Sequence, residues 1–155
     1  MSAARLFFDG GARPVNPGPS GYACVLHMGK RTVERSAYIG WHSNNFAEYT
    51  GLVVGIKMAI DNQVHELDIY TDSKLIYGHM TQGHRRNDDR LKMLARDADK
   101  LLKKHYFNDE TGEQRWDMRW IPREGNAAAD ALCTAAIMTY KESNPSPFSI
   151  AAGLR

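Results

Sequence analysis

Cysteine is scarce in this chain of 155 residues: Cys24 and Cys133 are the only two, and they form no CxxC pair. Such isolated thiols are expected to be buried, free and in a reducing compartment. The six histidines are scattered, so the sequence offers no Cys/His cluster of the kind that holds structural zinc. It has no apolar run long enough to span a bilayer and no signal-peptide pattern. A cytoplasmic protein without a membrane partner is therefore expected. The absence of a P-loop or other nucleotide fingerprint argues against a small-molecule kinase or phosphatase.

What is present suits one domain. The composition is 43% hydrophobic and 25% charged, and the net charge is +2. There is no internal repeat and no domain-sized linker. We expect a catalytic or binding domain over residues 1–140, a C-terminal tail over 141–155, and a monomer. The charge distribution is uneven. Arg85, Arg86, Arg90, Lys92, Arg96, Lys100, Lys103 and Lys104 crowd one stretch that holds four acids. The stretch suits a polyanion, or it is a solvated helix face.

Hydrophobic patterning gives the element order βββαβααβα. Ala4–Phe8, Gly21–Met28 and Thr32–Gly40 read as strands, with "HMGKR" as a hairpin turn. "SNNFAEYTGLVVGIKMAIDN" switches to helical period, with Tyr49, Leu52, Val53, Ile56 and Ile60 as its stripe and Ser43 or Asn44 as its cap. "HELDIYTDS" is a strand, and Ser73–Met80 a short helix. Asp88–His105 is a longer helix whose apolar face is Leu91, Leu94, Ala98, Leu101 and Leu102. "WDMRWIP" is a strand alternating Trp116, Met118 and Trp120, and Asn126–Tyr140 is a helix of small residues. Hairpin-linked strands followed by helix-separated ones predict an α/β fold with a mixed sheet, and a site beyond the carboxyl ends of its parallel strands.

Four acids stand in unusual surroundings. Asp9 ends the strand "RLFF", and Asp72 ends "LDIYT". Glu48 borders the apolar stripe of its helix, and Asp130 is the only charge in "NAAADALCTAAIM". Each has a plain structural alternative: Asp72 as a helix cap, Glu48 in a capping box with Asn45, Asp9 bonded to loop amides, Asp130 on a small-residue helix. A carboxylate facing an interior costs several kcal/mol, roughly, unless it is paired or bound to a metal. One shared cation site explains all four together, and all-oxygen ligands favour Mg²⁺ or Mn²⁺. Two ions about 3.5–4 Å apart would suit phosphodiester cleavage.

"FFDGGARPVNPGPSGY", "SNNFAEYTGL", "IYTDSKLI" and "WIPREGNAAADAL", in that order, resemble type 1 ribonuclease H over about Leu6 to Leu132. The resemblance implies a ribonuclease H-like fold, with a five-stranded mixed sheet of three antiparallel strands then two parallel ones, flanked by helices. It implies an endonuclease that hydrolyses the RNA strand of an RNA–DNA hybrid with two Mg²⁺ or Mn²⁺ ions, giving 5′-phosphate and 3′-hydroxyl ends. By motif match, Asp9, Glu48, Asp72 and Asp130 hold the metal, with Glu48 close to the 2′-hydroxyl beside the scissile phosphate. Gly10, Gly11, Ala12, Asn16, Asn44, Asn45 and Ser73 match substrate contacts, and Arg85 and Arg86 add charge for the hybrid.

Two departures stand out, and a missing protrusion marks a minimal form. Pro14 and Val15 stand where common members have one Gly, so the loop should bulge. Arg123 stands near the place of the flexible-loop His; always charged, it would contact phosphate or assist the leaving group rather than act as a base, unless it is a plain surface arginine. "TQGHRRNDDRLK" is too short for the basic protrusion of many members and lacks Trp, so stronger salt dependence is expected. Double-stranded RNA, RNA–DNA junctions and DNA are alternative substrates, and a binding domain with a dead site is the non-enzymatic alternative.

Overall fold

The computed structural model describes residues 3–83 and 88–143, excluding the side chains of 141–143. Three strands come first: β1 (Ala4–Ala12), β2 (Gly18–Met28) and β3 (Arg31–His42). The helix α1 (Asn44–Asp61) leads to β4 (Leu67–Thr71), α2 (Lys74–Thr81) and α3 (Asp89–Tyr106). Then come β5 (Trp116–Trp120), a short 3-10 turn (Arg123–Asn126) and α4 (Ala127–Ser143). The order matches the one expected.

The strands form one sheet in the order β3-β2-β1-β4-β5. β1 pairs antiparallel with β2, and β2 with β3; β1–β4 and β4–β5 are parallel. Alternation along β2 divides the core between the two faces. Tyr22, Cys24 and Leu26 pack with Leu6, Phe8, Ile69 and the buried faces of α1 and α3. Ala23 faces the other way, onto Cys133 and Ile137 of α4. Helices thus cover both faces.

The strand ends differ from the sequence reading in an informative way. β1 was expected to stop at Phe8, yet it stays paired with β2 as far as Ala12. Its parallel pairing with β4 stops earlier, at Phe7 opposite Tyr70. Asp9 and Asp72 each lie two residues past that last pair. The loss of pairing on one side only is what opens a cleft there.

Local chemistry anchors the helices. The Ser43 side chain caps α1 by accepting from the Phe46 amide. Ser73 caps α2 by accepting from the Ile76 amide, so Asp72 is not the cap and its carboxylate is free for another role. α1 presses onto β1 at Gly10, where a Cβ would lie 2.3 Å from the Ala47 carbonyl carbon. Only glycine allows that approach.

On α3, Leu91, Ala98 and Leu102 are buried as expected, with Ala95 and Tyr106 added, while Leu94 and Leu101 are half-buried. On β5 the expected alternation buries Met118, but Trp120 is 41% exposed because it lies on an edge strand at the rim of the cleft. No described helix is long and apolar enough to cross a membrane. α4 runs to Ser143, three residues beyond the expected domain end; the tail after it lies outside the described residues, as do Arg85 and Arg86.

Candidate active site

Three of the four acids meet at the open end of the parallel ladder. Asp9, Glu48 and Asp72 each present a carboxylate oxygen, and these atoms all lie within 4.8 Å of one another. Asp9 is buried and the other two are half-buried. β1 brings Asp9 and β4 brings Asp72, while the close contact at Gly10 sets the first turns of α1, and with them Glu48, against β1.

The fourth acid stands to one side. Asp130, in the first turn of α4, lies beside Asp9 and accepts a 2.9 Å hydrogen bond in an ion pair with Arg13 Nη2. It therefore touches the cluster through Asp9, with its other contact taken by a cation of the chain itself.

Crowding of like charge shows in the acidities. Burial, then the charge of Asp72, then the hydrogen bond to Asp130 push Asp9 up to about 7, against a backbone hydrogen bond at Gly10 that pulls it down. Burial, then the charge of Asp9, push Glu48 up to about 8. A hydrogen bond from Ser73 and the charge of Arg123 oppose that rise. Ser73 thus does two jobs: its oxygen caps α2 and its hydroxyl proton faces Glu48. Arg123, exposed on the 3-10 turn, is near enough for its charge to act on the site.

Other residues hold this arrangement, and sequence reading missed most of them. Asn126, fully buried, donates from Nδ2 to the Phe8 carbonyl and to Asp72 Oδ2, both at 2.9 Å. Its Oδ1 is buried without a hydrogen-bond partner. The only signal in the sequence was an amide among small residues at a helix start. Thr71 Oγ1 accepts from the Ser73 amide at 3.0 Å and shapes the turn after β4. Trp120 Nε1 donates to the Asp72 carbonyl at 3.3 Å.

The loop after β1 is tied to the start of α1. Asn44 Oδ1 accepts from the Ala12 amide at 2.7 Å, and Asn16 Oδ1 accepts from the Asn44 amide at 2.9 Å. Asn16, Asn44 and Ala12 therefore form one group beside the cleft, with Pro14 and Val15 exposed in the same loop. Asn45 is exposed next to Asn44. Gly10 and Gly11 are buried: Gly10 faces α1, and a Cβ on Gly11 would meet Arg13. The thiols behave as expected. Both are buried and free, and burial pushes Cys24 up to about 12 and Cys133 up to about 11.

A mixed sheet in this strand order, with acids gathered at the end of its parallel pair, defines the ribonuclease H-like class of folds. A family model described as Reverse transcriptase-like matches residues 7–136, and the chain belongs to that family. It is 32% identical over 133 residues to a protein named Ribonuclease HI from Halobacterium salinarum, covering 84% of this chain and 62% of that one. It is equally similar to Bifunctional protein Rv2228c of Mycobacterium tuberculosis, over 83% of this chain and 34% of that one. The chain thus spans less than two thirds of the length of these curated relatives. Among solved structures, RNase H1 from Halobacterium salinarum superposes with a TM-score of 0.76 at 31% identity, covering 89% of this chain and 99% of that one. LC11-RNase H1, solved in complex with an RNA/DNA hybrid, gives 0.75 at 30% identity, over 88% and 97%.

Proposed function

We propose that this chain is a ribonuclease H: a metal-dependent endonuclease that hydrolyses the RNA strand of RNA–DNA hybrids, leaving 5′-phosphate and 3′-hydroxyl ends. The observation that carries the reading is the convergence of Asp9, Glu48 and Asp72 oxygens within 4.8 Å at the open end of the β1–β4 ladder. The resemblance of the surrounding motifs and the hybrid complex of LC11-RNase H1 support the substrate.

The donor set fits Mg²⁺ or Mn²⁺, because it is made of carboxylate oxygens alone. The buried, mutually repelling acids gain most from a cation. Asp9, Glu48 and Asp72 would hold one ion, and Asp9 with Asp130 a second. When bound, the two ions supply an activated water and stabilise the departing 3′-oxygen. Everything else falls to the chain. Asn126 and the Thr71–Ser73 turn fix the direction of Asp72, and Ser73 orients Glu48, which sits beside the 2′-hydroxyl of the cleaved nucleotide. Asn16, Asn44 and Asn45 line the hybrid together with the backbone of Gly10, Gly11 and Ala12. Arg123 meets phosphate, and Arg85 and Arg86 add to the attraction. The 2′-hydroxyl is both donor and acceptor, which is how such a site tells RNA from DNA.

Cleavage of a labelled hybrid tests this, with Mg²⁺ or Mn²⁺, beside double-stranded RNA, RNA–DNA junctions, single-stranded RNA and duplex DNA. We expect metal-dependent cutting of the hybrid's RNA strand, absent in Asp72→Asn. Folded, metal-loaded protein that leaves the hybrid intact would end this reading.

A further inference from the structure

Arg13 lies on the Asp130 side of the acid cluster. Its Nη2 is 2.9 Å from Asp130 Oδ1, and its Nη1 is 3.3 Å from Cys133 Sγ. The charges of Asp9 and Asp130 both act on it. The placement is built into the loop. The Arg13 amide donates to the Pro19 carbonyl at 2.9 Å, which fixes the backbone at the mouth of the β1–β2 connection. Gly11 leaves the berth open: a Cβ there would lie 2.9 Å from Arg13 Nη1. The Arg13 side chain is only 32% exposed, so it is seated rather than waving in solvent.

We propose that Arg13 is an internal cation that competes with the divalent ion on the Asp9–Asp130 side of the cleft. The inference rests on the metal-dependent reading above. It makes the two ion positions unequal. The Asp9–Glu48–Asp72 group is free to take an ion directly. On the other side, an ion must first separate Arg13 from Asp130. Until then Arg13 supplies one positive charge to Asp9 and Asp130, which limits their repulsion in the metal-free protein. The pair is partly exposed, so its strength is modest and the competition should be readily reversible.

Calorimetric titration with Mn²⁺ alone tests the inference, without substrate, on wild type, Arg13→Gln and Gly11→Ala. Arg13→Gln removes the competing charge; Gly11→Ala keeps the charge and crowds it out of its berth. We expect both to tighten the weaker Mn²⁺ site by roughly threefold to tenfold, with a smaller change at the tighter site. In thermal melts, metal-free Arg13→Gln should unfold at a lower temperature than wild type, and saturating Mn²⁺ should raise its midpoint by more. Two Mn²⁺ sites whose affinities neither variant changes would overturn the role of Arg13 and leave the metal-dependent reading standing. A failure of all three proteins to bind Mn²⁺ would overturn both.

Discussion

Asn126, the last residue of the 3-10 turn before α4, reaches across to hold Asp72, donating to its Oδ2 at 2.9 Å while the same amide nitrogen donates to the Phe8 carbonyl. One buried side chain thus connects β1, the end of β4 and the 3-10 turn at the point where the two strands part. Replacing Asn126 with Ala would leave a buried carbonyl and a carboxylate oxygen each short of a donor. We expect Asn126→Ala to lose about 1–3 kcal/mol of stability in urea unfolding. It should also lower kcat for hybrid cleavage more than it changes KM, because Asp72 loses its fixed direction. Unchanged stability and kcat would show that the bridge is not needed.

Asp72→Asn separates chemistry from stability. It removes a charge that pushes Asp9 up, and the new side-chain oxygen can still accept from Asn126. The metal-free variant should melt a few degrees above wild type, while hybrid cleavage falls by about a hundredfold or more. Differential scanning fluorimetry in a chelator, beside the cleavage assay, reads both.

The metal-free protein should lose stability as pH rises. Asp9 and Glu48 have folded-state values near 7 and 8, above their ordinary values of 3.8 and 4.5. Between the two ranges the folded chain binds more protons than the unfolded one, so the free energy of unfolding falls with increasing pH. The fall runs from about pH 4 to about pH 8, with a slope of at most about 1.4 kcal/mol per pH unit for each group. This is opposite in sign to the usual salt-bridged carboxylate. Urea midpoints in a chelator from pH 5 to pH 8 measure it, and saturating Mn²⁺ should flatten the curve.

Gly10→Ala places a methyl group 2.3 Å from the Ala47 carbonyl and 2.4 Å from the Glu48 amide. Both are backbone atoms, so α1 must move away from β1. We expect a cost of about 2–3 kcal/mol and a loss of cleavage larger than instability alone explains, since Glu48 moves with the helix. Circular dichroism melts and cleavage well below the melting temperature distinguish the two effects.

Lys74 lies over the ring of Trp120, 5.3 Å from its centroid, at the rim of the cleft. If that pair meets a phosphate of the hybrid, Lys74→Gln should weaken binding evenly across sequences. It should also reduce the slope of log affinity against log salt by about 0.7–0.9. Fluorescence anisotropy across a salt series, with the Asp72→Asn background to prevent cleavage, gives both numbers.

Much of this architecture was legible because its signals are local. Alternation in β2 and β4, the stripe of α1 and the turn at Gly29 and Lys30 depend on neighbours a few residues away. The acids were legible because each sits in its own unusual setting. What stayed hidden depends on partners far along the chain. Arg13 meets Asp130 and Cys133, and Asn126 meets Phe8, across more than a hundred residues. No pattern within either segment announces those contacts. Trp120 follows the same alternation as Met118, and only its position at the rim of an edge strand leaves it exposed. Asp72 also fits a helix cap by its spacing; the structure gives that task to Ser73, one residue on.

The early end of the β1–β4 ladder has a consequence for how this site tolerates change. Asp9 and Asp72 are carried by adjacent strands at matching heights past Phe7 and Tyr70. The gap between them therefore widens from a fixed starting point, the last pair of the ladder, where neighbouring strands lie about 4.8 Å apart. The sheet acts as a ruler for the cation, made of backbone and independent of the loops around it. A change in the loop at Pro14 and Val15, or a longer or shorter segment between α2 and α3, would reshape the surroundings of the cleft. Neither alters the gap across which an ion is held.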